Sequence, residues 1–312
     1  MNSNTKILVT GGAGFIGSHI VDKLLSLGYH VTCLDNFTSG KIENIYKHLN
    51  NNNFKLIVGD IRNLKTCLNA CKGIDKVIHL AAIGNVPRSI LKPLLYQEVN
   101  VIGTLNIFEA SRKNKIKLVV YASSSSVYGD LKSLPKVESE IGLPQSPYAE
   151  SKLSVERYAK LYFTCYKLRT IGLRYFNVFG PRQSADGDYA AVIPKFIKLI
   201  KENKKILING SKEISRDFTF VENVVCANLL ALEQGENLDC EVMNVGCGKS
   251  ITLLELYTEI KNQLNSSSTF TIGEYRRGDI EHSLASLEKV SNVLGYRPVV
   301  SFEEGIKRTL LY

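Results

Sequence analysis

Tyr148 and Lys152 stand four residues apart in the run Ser146-Pro147-Tyr148-Ala149-Glu150-Ser151-Lys152. On a helix that spacing puts both side chains on one face, one turn from each other. Ser146 suits an N-cap and Pro147 a first turn, so the tyrosine enters near the helix start. A free phenol titrates at about 10 and is a poor base at neutral pH. A nearby ammonium favours the phenolate and lowers that pKa, and a tyrosine so tuned can take a proton from an alcohol. The pair alone is a common surface pattern; its meaning depends on what the chain sets beside it. Four serines, Ser123 to Ser126, close the apolar run Lys117 to Ala122, one helix before Tyr148. A fold that aligns these elements brings a hydroxyl and the tyrosine to one sheet edge.

The elements that must do this positioning are legible in order. Lys6 to Thr10 is a short run without polar alternation, as a buried parallel strand requires. It feeds Gly11-Gly12-Ala13-Gly14-Phe15-Ile16-Gly17, and an amphipathic pattern follows to about Leu27. Small residues there allow a tight turn and let a pyrophosphate approach backbone N–H groups at a helix start. The second strand, His30 to Leu34, ends at Asp35, about 20 residues beyond the glycines, where an acid can accept both ribose hydroxyls of an adenosine. The same acid would repel a 2′-phosphate, so NAD is expected rather than NADP. Phe54 to Val58 is the third strand and leads to Asp60 at its C-terminal edge; Lys76 to Leu80 is the fourth and leads to Ala81-Ala82, small enough for a cofactor to lie against. Pro87 to Lys113 carries one long helical pattern with Arg88 and Ser89 near its start, and Thr170 to Tyr175 is a sixth strand. Strands alternating with helices six times predict an α/β fold, a doubly wound parallel sheet of Rossmann type. Past Pro181 the alternation weakens, which predicts a nucleotide-binding domain over 1–180 and a smaller mixed α/β substrate domain over 181–312, with a segment near 213–245 returning to the sheet.

The 312 residues are 44% apolar and 22% charged, ordinary for a globular protein. The net charge of +9 suggests an anionic partner, but the basic residues are scattered. Their densest groups, Lys113 to Lys117 and Lys201 to Lys205, read as solvated helix ends, so a phosphorylated small molecule is expected and nucleic acid is not. Seven cysteines form no CxxC pair, which argues against a disulfide framework or a zinc site. No signal-peptide pattern precedes the first strand and no apolar run approaches the ~20 residues of a membrane span, so a cytoplasmic enzyme without membrane attachment is expected.

Taken together, the glycine ensemble, Asp35-Asn36-Phe37, Ser124 and the Tyr148/Lys152 pair resemble the extended short-chain dehydrogenases/reductases. Within that family the chain is similar to the nucleotide-sugar 4-epimerases, bacterial UDP-N-acetylglucosamine 4-epimerases above all. Later landmarks carry the same resemblance: Gly84-Asn85-Val86-Pro87-Arg88-Ser89, Leu173 to Gly180, Tyr189 to Pro194, Ser215-Arg216-Asp217-Phe218 and Arg276-Arg277-Gly278-Asp279. The resemblance implies a tightly bound, recycled NAD held by Gly11, Gly14, Phe15, Ile16 and Gly17, by Asp35, Asn36, Asp60 and Ile61, and by Ala81, Ala82, Asn100, Lys152 and Tyr175. It implies Tyr148 as the base on the sugar 4-hydroxyl and Lys152 as its activator. Ser124 assists, with Ser125 as the alternative. A 4-keto sugar then turns about its diphosphate and is reduced on the other face. For the UDP-sugar it implies Gly84, Arg88, Ser89, Asn177, Tyr189, Val192, Arg216, Arg276, Asp279 and Ser283. Related 4,6-dehydratases and decarboxylases carry acids where this chain has Ser125 and Ser126, which favours epimerisation. Ser283 falls where relatives place a pocket-gating residue, and a serine leaves room for a 2-acetamido group. UDP-GlcNAc/UDP-GalNAc is therefore expected, with UDP-Glc and UDP-GlcNAc uronate as alternatives, in a homodimer pairing the helices Arg88–Lys113 and Ser146–Leu168.

Overall fold

The computed structural model describes residues 4–185, 191–274 and 281–312. Its centre is a seven-stranded sheet. Six strands come from the first half: β1 (Lys6–Thr10), β2 (His30–Asp35), β3 (Phe54–Val58), β4 (Lys76–His79), β5 (Leu118–Ser124) and β6 (Thr170–Tyr175). The seventh, Cys240–Val245, joins beside β6, giving the order Cys240–Val245, β6, β5, β4, β1, β2, β3. Every pairing in this sheet is parallel. Strand order reverses between β1 and β4, and ligands of such sheets bind outside the carboxyl ends there. Continuous apolar strands are the expected consequence of burial on both faces: β4 and β6 are buried along their whole length.

One face of the sheet is covered by α1 (Phe15–Ser26) and the later helix Val221–Gln234, whose Ile20, Leu24, Val224 and Ala231 pack on Val9, Val120 and Leu173. The other is covered by α2 (Leu64–Ala70) and by the helices that follow β4 and β5, through Cys67, Ile107, Phe108, Val155 and Ala159. The single long helix read over 87–113 is not one helix. It is α3 (Val86–Leu91), α4 (Pro93–Tyr96), a π-helical stretch Gln97–Ile102, and α5 (Gly103–Lys113). Pro93 explains the first break: Lys92 sits at φ −134°, ψ 56°, because a residue before proline is driven out of the helical region. The π stretch carries an extra residue per turn and turns Asn100 inward. The helix bearing Tyr148, α6 (Pro147–Tyr166), starts as its sequence predicts: Ser146 Oγ accepts from the Ala149 amide at 3.1 Å and Pro147 occupies the first turn.

A second apolar cluster gathers Phe179, Phe196, Ile206, Phe218, Phe220, Leu256 and Phe302 around a small parallel pair, Ile206–Asn209 with Phe270–Gly273. This lobe sits beyond the carboxyl ends of the main sheet's strands through Asn177, whose side-chain amide donates to Asp217 O and to Ser283 Oγ. Among the described residues no helix is long and apolar enough to cross a membrane.

Candidate active site

A cleft of about 930 Å³ runs along the carboxyl edge of the sheet and under the second lobe, within the size range of small-molecule sites. Within it a strand end faces a helix. Three consecutive residues closing β5 meet three successive turns of α6. Ser124 hydrogen-bonds the Tyr148 hydroxyl, the Ala122 carbonyl accepts from Lys152 Nζ at 2.8 Å, and Ser123 Oγ donates to Glu156 Oε1 at 2.5 Å. Positions 148, 152 and 156 share one helix face because they are four apart. Glu156 in turn pairs with Arg174 of β6 through two bonds of 2.9 and 2.8 Å, both side chains being buried. The ion pair fixes the helix against β6, and the Ser123 bond to the same carboxylate ties it to β5, the strand that carries Ser124.

Burial pushes the Tyr148 hydroxyl up from its ordinary value, and the Ser124 hydrogen bond works against that rise. The lowering by Lys152 expected from the spacing is therefore not what the fold displays. Lys152 commits its ammonium to the Ala122 carbonyl and is itself desolvated, its pKa pushed down to about 8 by burial with Glu156 opposing. Of the four serines, Ser124 is the one on Tyr148; its Oγ also accepts from the Ser126 amide at 3.1 Å. Ser125 lines the cleft without that bond, and Ser126 Oγ is buried with no partner among the described residues.

The other end of the cleft is built from the glycine turn. Gly11 adopts φ +69°, and a Cβ there would lie 2.8 Å from the Ala81 nitrogen, so only glycine allows the turn to press on β4's exit. A Cβ at Gly17 would meet the Gly11 carbonyl at 2.1 Å. Helix α1 begins at Gly14 with no side-chain cap, leaving its first N–H groups for an anion. Asp35 accepts from the Ala13 and Phe37 amides at 2.9 and 2.8 Å, which fixes the carboxylate while each oxygen keeps a further lone pair. Asn36 donates to Asp60 at 2.9 Å, and Arg62 holds Asp60's pKa down to about 2. Phe15, Ile16, Ile61, Ala81, Ala82 and Tyr175 complete this part of the wall. An uncapped helix start, a glycine turn and an anchored acid at the end of β2 fit a dinucleotide.

Three expected contacts lie elsewhere. Asn100 spends its amide on Ile83 N, Ile83 O and Ser151 Oγ, at 2.8, 3.1 and 3.0 Å, so it shapes the turn after β4 and steadies α6 rather than facing the cleft. Ser89 is fully buried and donates to Val86 O at 2.6 Å. Val192 starts the helix Val192–Lys201 behind Ala191, which does line the cleft. Gly84, Arg88, Asn177, Arg216 and Ser283 all line it. Ser283 is buried, and Asn177 Nδ2 donates to its hydroxyl at 3.1 Å. Tyr189, Arg276 and Asp279 lie outside the described residues.

Two features were not read from the sequence. Thr10, His79 and Thr104 form a buried chain, with His79 ring nitrogens 2.7 and 2.9 Å from the two hydroxyls; burial holds His79 neutral, its pKa down to about 3, with the Lys152 charge adding to the effect. Lys136, after Pro135 in a long loop, also lines the cleft. Neither has a spacing signal: the partners of His79 lie on other elements, and Lys136 lies in a loop without periodicity.

A model of the NAD dependent epimerase/dehydratase family matches residues 7–246. A putative UDP-glucose 4-epimerase of Methanocaldococcus jannaschii is 40% identical over 307 residues, covering 97% of this chain and 97% of its own. The solved UDP-N-acetylglucosamine 4-epimerase of Methanobrevibacter ruminantium, in complex with UDP-N-acetylmuramic acid, superposes with a TM-score of 0.92 at 42% identity, over 99% of this chain and 97% of that one. The UDP-glucose 4-epimerase of Thermus thermophilus in complex with NAD gives a TM-score of 0.89 at 34% identity, over 98% of each chain.

Proposed function

The chain belongs to the NAD-dependent epimerase/dehydratase family, and within it we propose that the chain inverts C4 of a UDP-hexose, with UDP-GlcNAc and UDP-GalNAc as the preferred pair. The observation that carries the reading is the Ser124–Tyr148 hydroxyl pair beside Lys152, with hydroxyls at Ser125 and Ser126 where elimination would need carboxylates. When bound, NAD supplies a reversible two-electron acceptor for C4. Tyr148 takes the proton from the sugar 4-hydroxyl and returns one to the 4-keto oxygen. Ser124 keeps the Tyr148 oxygen aimed at that position. Lys152, anchored on the Ala122 carbonyl, stands one turn away to orient the cofactor's ribose. Arg216 holds the diphosphate while the 4-keto sugar turns in the broad cleft, and Asn177, its side-chain amide bonded to Asp217 O and Ser283 Oγ, fixes the wall there.

The acetamido preference rests on Ser283. A small side chain hydrogen-bonded to Asn177 leaves space where a larger one would intrude. The homodimer is proposed on the exposed apolar face of α4, the π stretch and α6, where Leu94, Ile102, Tyr158, Leu161 and Tyr166 stand outward. Sedimentation giving a monomer would remove it. The activity is tested by NMR of the purified protein with UDP-GlcNAc, UDP-Glc or UDP-GlcNAc uronate and no added NAD. The 4-epimer of UDP-GlcNAc is expected to appear fastest. No epimer from any sugar, even with NAD added, refutes the reading.

A further inference from the structure

Lys136 is a charged side chain that the mechanism above does not use. It is 3% exposed and lines the cleft. Its backbone is tied on three sides. The amide donates to Leu284 O at 2.7 Å, and its carbonyl accepts from Ser286 N at 3.0 Å and from Asn244 Nδ2 at 2.9 Å. These bonds lay the loop alongside residues 284–286, next to Ser283 and its partner Asn177. Within the chain the Lys136 ammonium donates to the Leu131 carbonyl. The nearest acid in sequence, Glu138, is turned to the Asn244 amide at 2.8 Å. No described carboxylate offsets the charge, and burial pushes the Lys136 pKa down.

A buried ammonium with only a carbonyl for company is costly, and it keeps two N–H groups to donate. An oxyanion brought by a ligand would satisfy both charge and donors. We propose that Lys136 is an oxyanion-binding subsite of the cleft, filled by the bound nucleotide-sugar. The inference rests on the UDP-sugar reading. Such a ligand offers this chemistry from two sources, its diphosphate and, where present, a carboxylate on the sugar.

Calorimetric binding of UDP, UDP-GlcNAc and UDP-GlcNAc uronate to the parent and to Lys136→Met tests it. Lys136→Gln is measured in parallel, since a glutamine amide can still donate to the Leu131 carbonyl and hold the loop. Both variants are expected to lose about tenfold or more in affinity. A loss shared by all three compounds assigns the subsite to the diphosphate, and a loss confined to the uronate assigns it to the carboxylate. Unchanged affinity for all three overturns the proposal, as does a loss that includes UDP-GlcNAc but spares UDP. If the parent binds none of the three, the UDP-sugar reading falls and takes this with it. A parent that binds beside unaltered variants fells the subsite alone.

Discussion

Glu156→Leu removes one partner of a buried ion pair and leaves Arg174, 2% exposed, without its counter-charge. The guanidinium then keeps the Glu138 carbonyl at 3.2 Å and the face of the Tyr128 ring, its centre 4.9 Å from the ring centroid, neither of which replaces a carboxylate. Breaking such a pair costs about 3–5 kcal/mol, whereas replacing both partners by apolar residues of similar volume is near neutral. Glu156→Leu should therefore destabilise by that amount, and Glu156→Leu/Arg174→Met should recover most of it. Turnover should not recover with stability. The Ser123 hydroxyl loses its acceptor in both variants, so the strand end that aims Ser124 at Tyr148 is no longer pinned. A charge-assisted hydrogen bond is worth about 1.5–3 kcal/mol, and losing even its lower bound from the positioned state lowers kcat about tenfold. The assay is urea unfolding followed by far-ultraviolet circular dichroism, the chain having no tryptophan, with kcat measured on the same samples. A single variant costing under about 1 kcal/mol refutes the buried-pair reasoning. A double variant with parental kcat refutes the positioning role.

Tyr148→Phe deletes the hydroxyl that bonds Ser124 and should lower kcat by at least about a hundredfold. NAD released on denaturing the variant should match the parent, because the glycine turn and Asp35 are untouched. Ser283→Tyr should suppress turnover of acetamido sugars more than that of UDP-Glc; equal losses would mean that breaking the Asn177 bond, not crowding, is the cause. Asp60, with its pKa depressed to about 2 by Arg62, stabilises the fold above its unfolded value near 3.8, and that contribution is lost as pH falls from about 4 towards 2. Asp60→Asn should flatten this part of the stability–pH curve, by under about 1 kcal/mol because the pair is partly exposed. An unchanged acid limb would show that the Arg62 pair does not survive in solution.

Read residue by residue, the chain already contained what local patterns can carry. Ser146, Pro147 and the four-residue spacing of Tyr148 and Lys152 define a capped helix with both groups on one face, and α6 starts there. The apolar run before Gly11 and the acid after Leu34 define a strand, a turn and an anchoring carboxylate, because those signals depend on neighbours within a turn or two. The apolar period over 87–113 survives Pro93 and predicts one helix, while the hydrogen bonding breaks there and the span divides. Partner choice was decided by the tertiary structure. Ser123 to Ser126 are four identical side chains in sequence; the pairing of β5 with α6 gives one to Glu156 and one to Tyr148, and leaves one buried with no partner among the described residues. Asn100 and Ser89 are spent inside the fold, and Lys136 is carried into the cleft by a loop with no periodicity. Each of these outcomes depends on which atoms long-range packing brings within hydrogen-bonding reach and which it removes from water. Residue type and spacing along the chain hold no record of either.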